Sequence, residues 1–382
     1  MLNKNKEREL AYIVQVDSVE PIEGYNRIAY ATVGGWHCVV DATMKAGDKA
    51  VYFEIDSLLP SDDERFAFCS KYKYKIKTQK YVKGTKISQG LLMPITEFPE
   101  LADKKVGDFV TKELKVTYYD PMDRARKSNR TQVEYTPLFK KIKNYFPFKQ
   151  LMRTKIGREI LLSIFGMKKK KTPWPSFMPH SDQERIQNMP WILNNKTPFI
   201  CSEKIDGCSS GYAIEKTIFG YKYYVCSRNF VLTRNSKTYY NDMNVWFENY
   251  DKYNIKDFLT AFIKETGAKW VYLQGESYGE SIQKRDYSLK GHDFAAFELC
   301  TSNRVRYTYT EMKEILDRYN IPTVPIISND YILPDSVDEL LKYAQSISAI
   351  DGKEREGIVF QNIDDPTISF KAVDNEFLVK YH

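Results

Sequence analysis

Apolar and polar positions alternate in short runs through residues 9–115, and turn residues separate the runs. Tyr12 to Val16 leads to a turn at positions 21–24. Ile28 to Val33 ends at Gly34-Gly35, and Trp36 to Val40 resumes the pattern. A turn at 45–48 opens the run Ala50 to Ile55, and shorter apolar stretches follow at Tyr81-Val82 and at Gly90 to Pro94. Many short strands with polar turns predict a small barrel, OB-like by preference and SH3-like as the competitor.

The pattern changes at residues 119–180, where Pro, Lys and aromatic residues replace clear periodicity. Lys155 to Met167 reads as a short amphipathic helix flanked by Pro147, Pro173, Pro175 and Pro179. From 181 onward strand-like runs alternate with helices. Asp182 to Asn188 has a helix-start pattern with Ser181 as its cap, and helices are expected over Ile255–Thr266 and around 310–319. The expected organisation is therefore α+β: an N-terminal OB-like nucleic-acid-binding barrel over 1–118, a basic connector over 119–180 and a larger domain over 181–382. A chain of 382 residues accommodates about two to three domains.

Charge sharpens this picture. The net charge is only +7, yet residues 139–171 hold eleven Lys and Arg against the single acid Glu159. Such a block fits a polyanionic partner such as a phosphate backbone, or simply a solvated linker. The six cysteines form no C-x-x-C pair and the N-terminus lacks an apolar leader, so a reducing, cytoplasmic setting is expected. No apolar run approaches the ~20 residues needed to span a bilayer. The four histidines have no metal spacing, and no Walker-type phosphate loop is present.

The candidate chemistry centres on Ser202-Glu203-Lys204-Ile205-Asp206-Gly207. Downstream, in order, lie Cys226-Ser227-Arg228-Asn229, Leu273-Gln274-Gly275-Glu276, Phe294 to Leu299, Glu354 to Phe360 and Ser369-Phe370-Lys371. These ordered motifs resemble those of covalent nucleotidyltransferases, and the resemblance implies that Lys204 attacks the α-phosphate of ATP. For that it must lose its proton, although its ordinary pKa is about 10.4. Burial and the nearby cations Arg185, Arg228 and Lys371 are expected to lower it and to neutralise charge on the phosphate during transfer. Mg²⁺ or Mn²⁺ would assist, and Glu356 is the candidate metal residue.

Taken in order over residues 182–382, these six elements resemble the covalent nucleotidyltransferase superfamily of DNA ligases, RNA ligases and capping enzymes. Only eleven residues follow Lys371, and the barrel precedes the lysine motif. That order, with Asp182 to Gln187 just upstream, is similar to the Deinococcus-type ATP-dependent RNA ligases, RNA ligase family five. The resemblance implies an ATP-grasp-like adenylation domain of antiparallel sheets with flanking helices, in which Lys204 carries AMP. It further implies sealing of nicks whose 3′-OH end is RNA, and a monomer with no membrane attachment is expected. Catalytic roles then fall on Lys204, Lys371, Glu356 and Arg228. Glu203, Arg185, Asn229, Glu276 and Phe297 complete the nucleotide site, with Glu276 on the ribose and Phe297 on the adenine or, alternatively, in the core. One departure is clear: the second lysine common in the last motif is replaced by Val373, with Lys380 as a loose substitute. The rival readings are a GTP-using capping guanylyltransferase and a non-catalytic RNA-binding protein on a ligase scaffold.

Overall fold

The computed structural model describes residues 1, 7–119, 133–135, 145, 148–151, 153–154, 156–157, 160–161, 166–168, 174–178, 182–236 and 244–381. Residues 1–119 and 175–382 form one compact unit, and 120–174 form another.

The N-terminal part is built from ten short strands: β1 (Ala11–Gln15), β2 (Ser18–Ile22), β3 (Tyr25–Val33), β4 (Trp36–Asp41), β5 (Lys49–Phe53), β6 (Ser57–Leu58), β7 (Gln79–Tyr81), β8 (Lys86–Ser88), β9 (Leu91–Pro94) and β10 (Thr117–Tyr118). They pair as β2-β3-β4, β1-β5-β9, β7-β8 and β6-β10. Strand alternation explains why β1 is apolar over Ala11–Val14 and β5 over Ala50–Phe53. Tyr12, Val14, Ala50 and Tyr52 pack with Ala31, Val33 and Trp36. Their neighbours Ala11, Ile13, Val51 and Phe53 pack instead with Phe66 and Phe98. A sheet covered on both faces reads as a continuous apolar run, not a half-buried one.

In the smaller unit β11 (Val133–Tyr135) pairs with β12 (Gly166–Lys168). Of the helix expected over 155–167, residues 156–157 and 160–161 are helical, 166–167 belong to β12, and the rest lies outside the described residues.

Two sheets make the C-terminal part, antiparallel throughout except where β13 runs parallel to β21. One has the order β13-β21-β20-β14-β19, from β13 (Glu184–Arg185), β14 (Phe199–Lys204), β19 (Ile326–Tyr331), β20 (Gly357–Asn362) and β21 (Ser369–Val373). The other runs β16-β15-β17-β18, from β15 (Cys208–Thr217), β16 (Gly220–Ser227), β17 (Trp270–Gly279) and β18 (His292–Thr301). The flanking helices are α1 (Val245–Lys252), α2 (Ile255–Thr266), α3 (Tyr309–Asp317), α4 (Val337–Ala344) and α5 (Asn375–Tyr381). Helix α2 buries Ile255, Phe258, Leu259, Phe262 and Ile263, a spacing that lines one helical face, and ends at Gly267 in the left-handed region. Helix α3 starts at a capping box between Thr308 and Glu311.

The helix expected to start at Asp182 is not formed. Glu184–Arg185 is a short strand and Ile186–Asn188 a single 3₁₀ turn. Pairing with β21 competes for this backbone, setting Arg185 beside Lys371, and Pro190 closes the segment against any longer helix. The barrel meets the same segment: Gln187 Nε2 donates to the Gly35 carbonyl at 3.3 Å, and the Arg185 guanidinium lies 5.6 Å from the Trp36 ring centroid.

Candidate active site

Lys204 is the last residue of β14, where the chain leaves one sheet and crosses to the other. Register explains what gathers around it. Lys204 lies opposite Gly357 on β20, which lies opposite Val373 on β21. Two rungs away, and so on the same face, Ser202, Val359, Lys371 and Arg185 align across four strands. Directly opposed residues share a sheet face, so Lys204, Lys371 and Arg185 point to the same side. The second sheet contributes Glu276 on β17, opposite Ser209 of β15.

Two glycines allow this closeness. A Cβ on Gly207 would stand 2.3 Å from the Ser277 carbonyl oxygen, so the glycine of the K-x-D-G string lets β17 approach the crossing chain. Gly357 has φ +159° and would place a Cβ 2.2 Å from the Ala372 oxygen.

The half-buried Lys204 Nζ donates to Glu356 Oε2 at 2.5 Å, and Glu356 itself is buried. Burial pulls the Lys204 pKa down, but the charges of Glu356, Glu276 and Asp206 outweigh it, and the net direction is upward. This corrects the expectation that cations lower it. The nearest charges are carboxylates, so the unliganded amine is held as an ammonium. The lowered lysine is Lys371, brought down to about 8 by burial and by the charges of Lys204 and Arg185. Glu276 is driven up to about 8, mainly by burial, with Glu356 and Asp206 adding to it against the pull of Lys204. Burial also lowers Arg185, whose Nη1 is enclosed without a hydrogen-bond partner among the described residues. An oxyanion ligand would satisfy that donor.

The remaining candidates spread more widely. Arg228 is exposed in the turn after β16, 2.8 Å from Asp182 Oδ2, with half-buried Asn229 beside it. Phe297 is half-buried against the core at a bulge where Gln274 faces Glu298 and Gly275 faces Ala296. Glu203 points away from Lys204, as alternation requires. Its Oε2 accepts from the Ala349 amide at 2.7 Å, and burial raises its pKa. Lys380 is a surface residue paired with Glu354 at 2.7 Å and does not stand in for the missing lysine. Val373 is buried in that place.

Residues that carried no motif also shape the site. Asp206 donates its backbone N–H to Tyr287 Oη at 2.7 Å. Arg285 and Asp351 form a bidentate ion pair, both distances 2.7 Å, with side chains 2% and 3% exposed. Only Asp206 had a signal, as the acid of the K-x-D-G string. The others act through side-chain contacts between loops far apart in the sequence.

Among the described residues no three His, Cys, Asp or Glu side chains gather to hold a metal by themselves, and no helix is long and apolar enough to cross a membrane. The residues present nevertheless fit a hard divalent cation shared with phosphates. Glu356, Glu276 and Asp206 crowd negative charge around one ammonium, and Glu276 responds by holding a proton.

A lysine set among carboxylates at the crossing between two largely antiparallel sheets, behind a small barrel, defines a nucleotidyl-transferring enzyme. Residues 197–382 match the RNA ligase family model, and residues 10–95 match a model described as an OB-fold domain. Through residues 197–382 the chain is therefore similar to the RNA ligases, a family within the covalent nucleotidyltransferases. Solved structures of the Naegleria gruberi RNA ligase resemble it over its whole length. A lysine-to-alanine variant with ATP and Mn is 28% identical, covers 98% of this chain and 99% of its own, and superposes with a TM-score of 0.65. A lysine-to-methionine variant with AMP and Mn is 27% identical with the same coverage and TM-score 0.65. The ligase with pyrophosphate is 28% identical, again covering 98% and 99%, with TM-score 0.64. No curated protein matches it in sequence.

Proposed function

We propose that this ATP-dependent RNA ligase captures AMP on Lys204 and uses it to close a break between a 3′-OH RNA end and a 5′-phosphate. The observation that carries the reading is Lys204 against Glu356, with Lys371 and Arg185 on the same sheet face. In the first step the deprotonated Lys204 amine attacks the α-phosphorus of ATP. The bond to the bridging oxygen breaks, pyrophosphate leaves, and a lysyl-AMP phosphoramide remains. A 5′-phosphate oxygen then attacks the same phosphorus, and Lys204 leaves with a proton. Last, the 3′-OH attacks the activated 5′-phosphate, forming the phosphodiester and releasing AMP.

Each step gathers charge on phosphate oxygens, and Lys371 and Arg185 are placed to meet it. Arg228 would turn from Asp182 toward the nucleotide, with Asn229 following. Glu276 is assigned to the ribose hydroxyls and half-exposed Phe297 to the adenine face. Glu203 serves through its position beside Lys204, since Ala349 holds its carboxylate. A bound Mg²⁺ or Mn²⁺, held by Glu356 with phosphate oxygens and water, would neutralise phosphate charge and relieve the hold of Glu356 on the ammonium. The barrel and the basic connector bind the nucleic acid. The protein acts as a monomer in a reducing, cytoplasmic setting, a reading supported by its six free cysteines.

The test is incubation with α-radiolabelled ATP and Mg²⁺, followed by a denaturing gel. Wild type becomes labelled, Lys204→Ala does not, and excess unlabelled GTP fails to compete. Labelling of the alanine variant, or preference for GTP, would overturn the reading.

A further inference from the structure

A second basic segment lies in the barrel. From Lys71 to Lys86 a lysine stands at every second or third position, seven in sixteen residues, with no acid among them. Five of the seven are exposed, and none forms an ion pair among the described residues. Some exposed lysines elsewhere are paired: Lys104 with Glu113, Lys196 with Asp335 and Lys313 with Asp317. Packing accounts for only part of the segment. Ile76 is buried, and residues 74–76 hydrogen-bond back to 56–59. Most of the lysines are therefore carried outward on a fixed backbone, with no carboxylate among the described residues close enough to pair with them.

Aromatic rings stand among these charges. Phe68 is 54% exposed and Tyr72 41% exposed, and Lys86 lies 4.6 Å from the ring centroid of Tyr30. The segment also leads toward Lys204. Lys80 Nζ donates to the Val379 carbonyl of α5 at 2.7 Å, and Gln89 Nε2 donates to Asn375 Oδ1 at 3.0 Å. Immediately before that helix, the Asp374 amide bonds the carbonyl of Glu356 at 2.8 Å.

We propose that Lys71–Lys86 is the surface on which the barrel holds the sugar–phosphate backbone of the strand being joined. Unpaired cations in series match a phosphate series, and the exposed rings next to them offer faces on which bases at a break can stack. The proposal rests on the ligase reading and names where its substrate lies. Binding here is insensitive to base sequence and weakens steeply with salt.

The experiment replaces four exposed lysines together, K71Q/K73Q/K77Q/K83Q, in the full chain. A control variant, K222Q/K256Q/K264Q/K269Q, removes the same charge from exposed positions on β16, on α2 and just before β17. Three quantities are measured: labelling by α-radiolabelled ATP, the Kd for a nicked duplex with a 3′-OH RNA end across a KCl series, and sealing. The barrel variant is expected to label as wild type does, to bind about tenfold or more weakly, and to show a shallower slope of log Kd against log salt, by about one per lost phosphate contact. Its sealing loss should appear in KM for the duplex more than in kcat. The proposal is overturned if this variant binds and seals like wild type, if the control loses as much, or if labelling falls in parallel with sealing. Absence of labelling in wild type would refute the ligase reading instead, while duplex binding would still decide the role of the surface.

Discussion

Lys204 and Glu356 meet at 2.5 Å although 152 residues separate them, and their contact makes the unliganded amine a poor nucleophile. The ammonium must lose both a proton and a partner before it can attack phosphorus. Glu356 raises the Lys204 pKa, so the free-amine fraction grows with pH, and removing that charge lets the proton leave at lower pH. Glu356→Gln is therefore expected to shift the alkaline rise of lysyl-AMP formation toward lower pH. It should also slow the step about a hundredfold, because support for phosphate charge is lost. Single-turnover labelling across a pH series measures both effects. A slower rate with an unmoved profile would mean that the carboxylate does not control the proton on Lys204.

Glu276 ties stability to the same site. Its folded-state pKa is raised from the ordinary 4.5 to about 8, so the native protein keeps a proton that the unfolded chain releases. Raising pH through that window must erode stability, and below it the contribution is fully present. Glu276→Gln has no such proton to lose. In thermal melts without nucleotide, the variant should match wild type near pH 4 and exceed it in Tm above pH 8. Its KM for ATP should rise on the order of tenfold or more as the ribose contact is lost. Parallel melting curves for the two proteins across this range would contradict the assignment.

The barrel strands were legible because alternation and turn residues are local signals, and α2 was legible because five apolar residues share a face and Gly267 stops it. Local signals failed at Asp182–Asn188, where a helix-start pattern yielded to pairing with a strand 186 residues away. They also failed at Phe297, whose broken alternation is a bulge set by the partner strand. In the site, the lysine and both glutamates could be read from ordered motifs. Their combined effect on Lys204 could not, because it depends on three carboxylates meeting in space. The run Lys71–Lys86 was visible but overshadowed by residues 139–171, most of which lie outside the described residues.

Val373 offers a way to adjust the nucleophile. It lies on the rung of Gly357 and Lys204, and Gly357 interposes no side chain. Val373→Lys would place a second cation on that face. A like charge favours the neutral amine, so lysyl-AMP formation should reach half its maximum at lower pH than in wild type. Val373 is 3% exposed, and a charge buried there should cost the unliganded protein about 2 kcal/mol in urea unfolding. ATP should restore part of that loss. A stability loss with no shift in the pH profile would show that the added cation does not reach Lys204.

The flanks of Lys204 are held from two loops, and one ion pair joins those loops. Tyr287 Oη accepts from the Asp206 amide, and the Ala349 amide donates to Glu203, each at 2.7 Å. Arg285, two residues before Tyr287, grips Asp351, two residues after Ala349, through two hydrogen bonds. Arg285 also stands 4.4 Å from the Tyr287 ring centroid, so the pair and the tyrosine pack as one body. Removing either partner leaves the other charge buried. Arg285→Ala and Asp351→Ala should each cost about 3–5 kcal/mol in urea unfolding, and the double variant less than the sum. Because the loops hold the backbone beside Lys204 and not the nucleotide, lysyl-AMP formation at saturating ATP should fall while KM for ATP changes little. Additive stability losses, or a loss expressed wholly in KM, would mean that the two loops support the nucleophile independently of this pair.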